Sequence, residues 1–330
     1  MANRVRSVFI CGIVFPLIFN FSYGSDMKQT IEKTYPMESG GQISIKGDEG
    51  FIKIKSWDKN EVHLTMTKQS YGRNQKDAER QLNDLKIEIE SQSDRLTIKV
   101  ISPTEKRNFN LWNLLDPDTW GKSFRTASVD FELTVPEKIN LALINDEGNV
   151  TVESVSGDLE IDVDEGDIHL KNIVFETASL FSDEGDIHAS KITNPEGRLT
   201  VSVDEGDVTL EKVVAQRVKI ECDEGNIDIN GLECRTCDIT TDEGDVDVTP
   251  ILGASDHYYI TTGEGNISFY LDQSPNVSLD LETQDGFIQD DFQLSISRGE
   301  DGQQCRQKIG TGSSPIEMYA GEGNIHIRKK

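Results

Sequence analysis

An Asp-Glu-Gly triplet recurs through this chain, as NDEGNV, VDEGDI, SDEGDI, VDEGDV, CDEGNI and TDEGDV, and no other feature restricts the possible folds so strongly. Counted from the turn glycine, the series is Gly148, Gly166, Gly185, Gly206, Gly225, Gly244, Gly265, Gly286 and Gly323. The steps are 18, 19, 21, 19, 19, 21, 21 and 37 residues. A period near twenty residues is the mark of a repeat architecture and has to be read before any single residue.

The flanks of each glycine repeat as well. Five residues before it stand Leu143, Ile161, Leu180, Val201, Ile220, Ile239, Ile260, Leu281 and Met318; two residues after it stand Val150, Ile168, Ile187, Val208, Ile227, Val246, Ile267, Ile288 and Ile325. Positions −7 (Leu159, Leu199, Val218), +4 (Leu170, Leu210, Ile229) and +7 (Val155, Ile173, Ile192, Val213, Leu232, Ile251) are largely apolar too. The positions between are mainly polar, the two-residue alternation of a strand with one buried face. Each unit therefore reads as strand, glycine turn, strand, corner, with step length varying only in the surface link. An antiparallel meander also joins strands by glycine turns, but it does not require unit to match unit residue by residue. Stacking like on like does, so the expected fold is an all-β parallel solenoid with rungs about 4.8 Å apart.

Within the triplet, glycine supplies a positive φ and Asp at −2 suits an Asx-type turn. Asn or Asp at +1, such as Asp167 and Asp186, predicts an outward ladder. The glutamates are harder to explain. Glu147, Glu165, Glu184, Glu205, Glu224, Glu243 and Glu264 would stand one above another, and charges one rung apart repel by about 1 kcal/mol in water. Either salt screens them, or divalent cations collect between coils; Ca²⁺, which takes oxygen ligands, is the candidate. The GGxGxDx nonapeptide of calcium-loaded β-rolls is missing. His169 and His188, both at +3 in neighbouring units beside Asp167 and Asp186, make a second candidate metal patch, of borderline-metal type; outward histidines on a solvated face are the plain alternative.

Residues 1–24 carry Arg4 and Arg6, an apolar run from Val8 to Phe21 and a small-x-small end, which reads as a secretory signal peptide. The run is short for a membrane span of roughly 20 residues, and Ile10 before Cys11 disfavours a lipoprotein signal. No later stretch reaches spanning length, so the mature chain is expected in the periplasm or at the cell surface. The formal charge of −26 becomes −28 without Arg4 and Arg6, which argues against nucleic acid and anionic lipid as partners and for divalent cations, envelope glycans or surface proteins. Cys222, Cys234, Cys237 and Cys305 are too few for a disulfide scaffold. The Cys234–Cys237 spacing lacks a second pair for zinc, leaving packed or disulfide-bonded roles ahead of redox chemistry.

Residues 25–135 read as a β-rich entry and capping region before the repeats of 136–330. GDEGF already holds one triplet, with Ile52 and Ile54 in the core columns. A short amphipathic helix is predicted near 75–85 from Ala78, Leu82 and Leu85, capped by Asn74 and Asp77. The aromatic stretch 108–124, with Phe109, Trp112, Trp120 and Phe124, suits either a core plug or a binding loop. The segment before Gly323 reads as an excursion from the stack that carries Cys305 outward.

Three blocks in order, GFIKIKSWDKNEV, FELTVPEKINLALINDEGNVTVESVSGDLEI and IGTGSSPIEMYAGEGNIHI, resemble the bacterial "putative adhesin" domains of unknown function, relatives of the head-GIN domain. The resemblance covers nearly all of the mature chain and implies an exported β-solenoid; it brings no mechanism. The turns depart from that pattern, which looks more like Ser-Gly or Asn-Gly. No GxSxG, HExxH or phosphate loop occurs and the histidines assemble no triad, so a non-enzymatic structural or adhesive protein is expected; the alternative is a polysaccharide lyase or hydrolase on the same scaffold.

Overall fold

The computed structural model describes residues 13–14, 18–21, 26–72, 74–101, 127–299 and 302–330. The coils run parallel and in register. Leu143 lies beside Ile161, Ile161 beside Leu180, Leu180 beside Val201, Val201 beside Ile220, Ile220 beside Ile239, and Ile239 beside Ile260. The +2 column stacks likewise from Val150 to Ile267. Two walls result, one before the glycine turns and one after them, closed on a single core that extends from Tyr35 to Ile327. In one coil the buried set is Val218, Ile220, Cys222, Ile227, Ile229 and Leu232. Each large aliphatic member contributes about 1.5–3 kcal/mol, and only the neighbouring coils can cover it.

The corner between the walls has its own column. Ser154, Asn172, Lys191 and Lys212, all at +6, have φ between 55° and 61°, and Gly231 takes the place at 80°. A left-handed residue there turns the chain while leaving +7 pointing inward. The next coil has Pro250 at +6, and proline's ring holds φ near −65°. The turn is skipped, Pro250 pairs with Leu232, and Ile251 swings out to 54% exposure. This corrects the expectation that Ile251 continues the +7 column.

Both ends of the stack are remodelled. At the start, Gly41–Lys46 and Ile52–Trp57 form a coil in register with Ile139–Glu147 and Val150–Glu153. Its walls continue into Arg95–Ile101 and Ala127–Pro136, and then into antiparallel strands Lys86–Ser91, Glu61–Tyr71 and Asp26–Pro36. Helix α1, Gln75–Asp84, is capped by Asn74, whose side chain accepts from the Asp77 N–H at 3.0 Å; Ala78 and Leu82 are its buried residues. It packs on Glu61–Tyr71 and Asp26–Pro36. Ile13–Val14 and Ile18–Phe21 pair antiparallel with Asp26–Pro36. The aromatic stretch 108–124 lies outside the described residues.

At the far end the order of coils departs from the order of sequence. Ser314–Glu322 and Ile325–Lys329 insert between the Gly265 coil and the Gly286 coil, so that Met318 lies between Ile260 and Leu281. The excursion before Gly323 folds back as an antiparallel strand, Gly302–Ile309, on Val277–Thr283. Cys305 stands opposite Leu281 and is 1% exposed. The expectation that it points outward is therefore corrected: the strand alternation puts it on the core face.

Candidate functional site

The triplet glycines bear two constraints at once. Their φ values run from 122° to 155° between Gly148 and Gly323, apart from Gly286. They also touch along the stack: a Cβ on Gly225 would lie 2.0 Å from the Gly206 carbonyl oxygen, and one on Gly244 would lie 2.0 Å from that of Gly225. From Gly148 to Gly265 each of these N–H groups donates to the glutamate carbonyl of the adjoining coil, as from Gly185 to Glu205 at 2.9 Å and from Gly206 to Glu224 at 3.0 Å.

Position +1 carries the second ladder. The Asp167 N–H donates to Asn149 Oδ1 at 3.0 Å, that of Asp186 to Asp167 Oδ1 at 3.1 Å, and that of Asp207 to Asp186 Oδ1 at 2.9 Å. Asn226, Asp245, Asn266 and Asn324 continue it. A short side chain with an oxygen two bonds from Cβ is what this geometry needs. Asp167 and Asp186, candidate metal ligands by sequence, thus each commit one carboxylate oxygen to the backbone.

A third column was not foreseen. Position −3 holds buried Asn145, Ser182, Cys222, Thr241, Thr262 and Thr283, most of which donate inward to the carbonyls of turn glycines, such as Thr262 to Gly244 at 3.1 Å and Thr283 to Gly323 at 2.7 Å. Inward parity combined with small polar residue types was the available signal.

The glutamate side chains do not take part in these ladders. Glu165, Glu184, Glu205, Glu224 and Glu243 are exposed and in register on one edge. Among the described residues, no group of three or more His, Cys, Asp or Glu side chains converges as a metal cage.

The outer face of the post-turn wall contains a shallow groove of about 440 Å³. His169 and His188 form its middle, paired across neighbouring rungs with ring centres 5.1 Å apart and planes at 42°. Thr151 and Thr209, in the same +3 column, flank them, and Lys171 and Glu211 line the side. The Asp186 carboxylate lies 3.8 Å from His188 Nε2. Further along the column, partial burial, Asp247 and Glu211 raise the Asp228 carboxyl above its ordinary value. His326 is lowered by burial and Arg328, against the pull of Asp245 and Asp247.

Cys222, Cys234, Cys237 and Cys305 are free and buried. Burial first, then a hydrogen bond with Cys234, pushes the Cys237 thiol well up; burial pushes Cys222 to about 11. Cys222 and Cys237 are packed thiols with little thiolate.

Parallel coils, a touching glycine column, an Asx ladder and exposed polar walls define a β-solenoid. The chain belongs to the Toastrack DUF4097 family, whose model matches residues 20–328. Solved structures similar to it include a "putative adhesin" from Parabacteroides distasonis ATCC 8503, 12% identical, covering 90% of this chain and 96% of that one with a TM-score of 0.46. Another "putative adhesin", from Bacteroides fragilis NCTC 9343, is 13% identical over the same shares with a TM-score of 0.42. A third, described as a "putative lipid binding protein" from Parabacteroides distasonis, is 12% identical over those shares with a TM-score of 0.39. No curated protein matches the chain.

Proposed function

We propose that this is an exported, non-enzymatic protein of the cell envelope or surface, structural or adhesive, whose acidic edge gathers divalent cations and whose outer walls meet glycans or surface proteins. The observation that carries the reading is the register of Glu165, Glu184, Glu205, Glu224 and Glu243 on one exposed edge. Neighbouring charges about one rung apart repel by roughly 1 kcal/mol each in water, and the turn geometry uses only the backbone of these residues. With no three-ligand cage among the described residues, the supported mode is a diffuse layer of Ca²⁺ or Mg²⁺ held by the field of the edge, bridging it to other anionic envelope material.

The test is a thermal melt in Ca²⁺ against Na⁺ at matched ionic strength. A larger rise of the midpoint in Ca²⁺, lost in a Glu184→Gln, Glu205→Gln, Glu224→Gln variant, is expected; equal shifts in the two salts would reject the cation layer. Export rests on the leader at 1–24, and an N-terminus of the secreted protein at or near Ser25 is the expected result of sequencing it.

One observation favours a second reading, a carbohydrate-active enzyme. Asp228 and Asp247 stand in register on successive rungs, two carboxyls side by side as glycosidases require, and burial, then Asp247 and Glu211, raises the Asp228 carboxyl above its ordinary value. Reducing ends released from an envelope polysaccharide, and abolished in Asp228→Asn, would establish that reading in place of the first.

A further inference from the structure

We propose that His169 and His188 together bind one borderline transition-metal ion, of the Zn²⁺ and Ni²⁺ class, with its remaining coordination positions open to the groove. The parallel register puts the two imidazoles on adjacent rungs, with ring centres 5.1 Å apart. A metal–nitrogen bond of about 2.0–2.1 Å places an ion roughly 3.2 Å from an imidazole centre. Two such arms starting 5.1 Å apart meet at an angle of roughly 105°, close to the tetrahedral value.

The surroundings suit a cation. Thr151 and Thr209 above and below are short, so the groove stays open over the pair and leaves room for water or a donor from a ligand. The Asp186 carboxylate, 3.8 Å from His188 Nε2, adds negative charge beside the ion while its other oxygen stays tied to the Asp207 N–H. At that distance the carboxylate acts on the site through its charge and makes no hydrogen bond to the ring. Imidazole prefers borderline metals to Ca²⁺ or Mg²⁺, so this site is chemically separate from the glutamate edge and does not depend on it.

The same column contains its own control. His326 also stands at +3, but its neighbours on the adjoining rungs are Ser268 and Gln289, so it has no second imidazole one rung away.

The experiment is calorimetric titration of the full chain with Ni²⁺, Zn²⁺ and Ca²⁺, alongside His169→Ala, His188→Ala, the milder His188→Gln and His326→Ala. One ion per chain is expected, with Ni²⁺ and Zn²⁺ both bound and Ca²⁺ not, because imidazole suits borderline metals and not Ca²⁺. Either alanine variant and His188→Gln should weaken Ni²⁺ at least tenfold with an unchanged melting midpoint in metal-free buffer, while His326→Ala leaves it intact. Unchanged affinity in His169→Ala or His188→Ala would overturn the proposal. So would an equal loss in His326→Ala, or a stoichiometry above one that survives both His169→Ala and His188→Ala.

Discussion

Replacing Gly225 by alanine tests the touching-glycine column against ordinary turn strain, because the chain supplies a matched control in Gly231. At Gly225 the backbone has φ 152°, and the new methyl would sit 2.0 Å from the Gly206 carbonyl oxygen and 3.3 Å from Cys222 Sγ. The conformation alone costs about 1–3 kcal/mol for a residue with a side chain. Forcing two backbones apart inside a packed stack adds about 1–3 kcal/mol. At Gly231 φ is 80° and the nearest atom would be 3.7 Å away, so only the left-handed penalty of about 1–2 kcal/mol applies. For a chain of this size 1 kcal/mol moves the midpoint by about 2 °C. Melts followed by far-ultraviolet circular dichroism should therefore fall by about 4–12 °C for Gly225→Ala and about 2–4 °C for Gly231→Ala. Equal losses in the two variants would refute the contact argument and leave φ as the whole reason for glycine.

Lys212→Gly removes a strained φ of 56° and should stabilise by about 0.5–1 kcal/mol after glycine's own entropic cost, read by urea denaturation. Cys222, pushed to about 11 from 9.0, should carry about a hundredfold less thiolate at pH 8 than an ordinary cysteine; iodoacetamide should label it quickly only in denaturant. The Asp162 and Asp228 carboxyls both lie above their ordinary 3.8, Asp162 through burial and then Asp164, Asp183 and Glu160. The folded state then holds their protons longer than the unfolded one, so their contribution favours folding at low pH and is lost as pH rises from 3.8 through the raised values. The double variant Asp162→Asn, Asp228→Asn should raise the midpoint at pH 7 and flatten that decline.

What the sequence made legible depended on how each feature is encoded. The aliphatic columns at −5 and +2 were readable because each position recurs in every coil, and parallel stacking makes the period visible. The pairing of His169 with His188 followed from the same register. The −3 column escaped notice because its members differ, Asn145, Ser182, Cys222, Thr241, and only their shared inward parity and shared carbonyl acceptors unite them. Ile251 was misplaced because the corner's left-handed +6 residue is invisible until five coils are compared, and Pro250 breaks it. The inserted final coil had no signature, since matching columns say that two coils stack without saying which neighbour each takes. The groove depends on the short threonines around two larger rings, a property of surface relief that residue periodicity does not express.

Spin-label distances along the glutamate edge read out whether the coils run parallel and in register. Labels at introduced cysteines pairing position 147 with 184, 224 and 264 lie two, four and six rungs apart. With rungs about 4.8 Å apart, mean separations should increase by about 10 Å per pair and reach about 29 Å for the longest. Separations that fail to grow with rung number, or that alternate between short and long, would contradict the stacked solenoid.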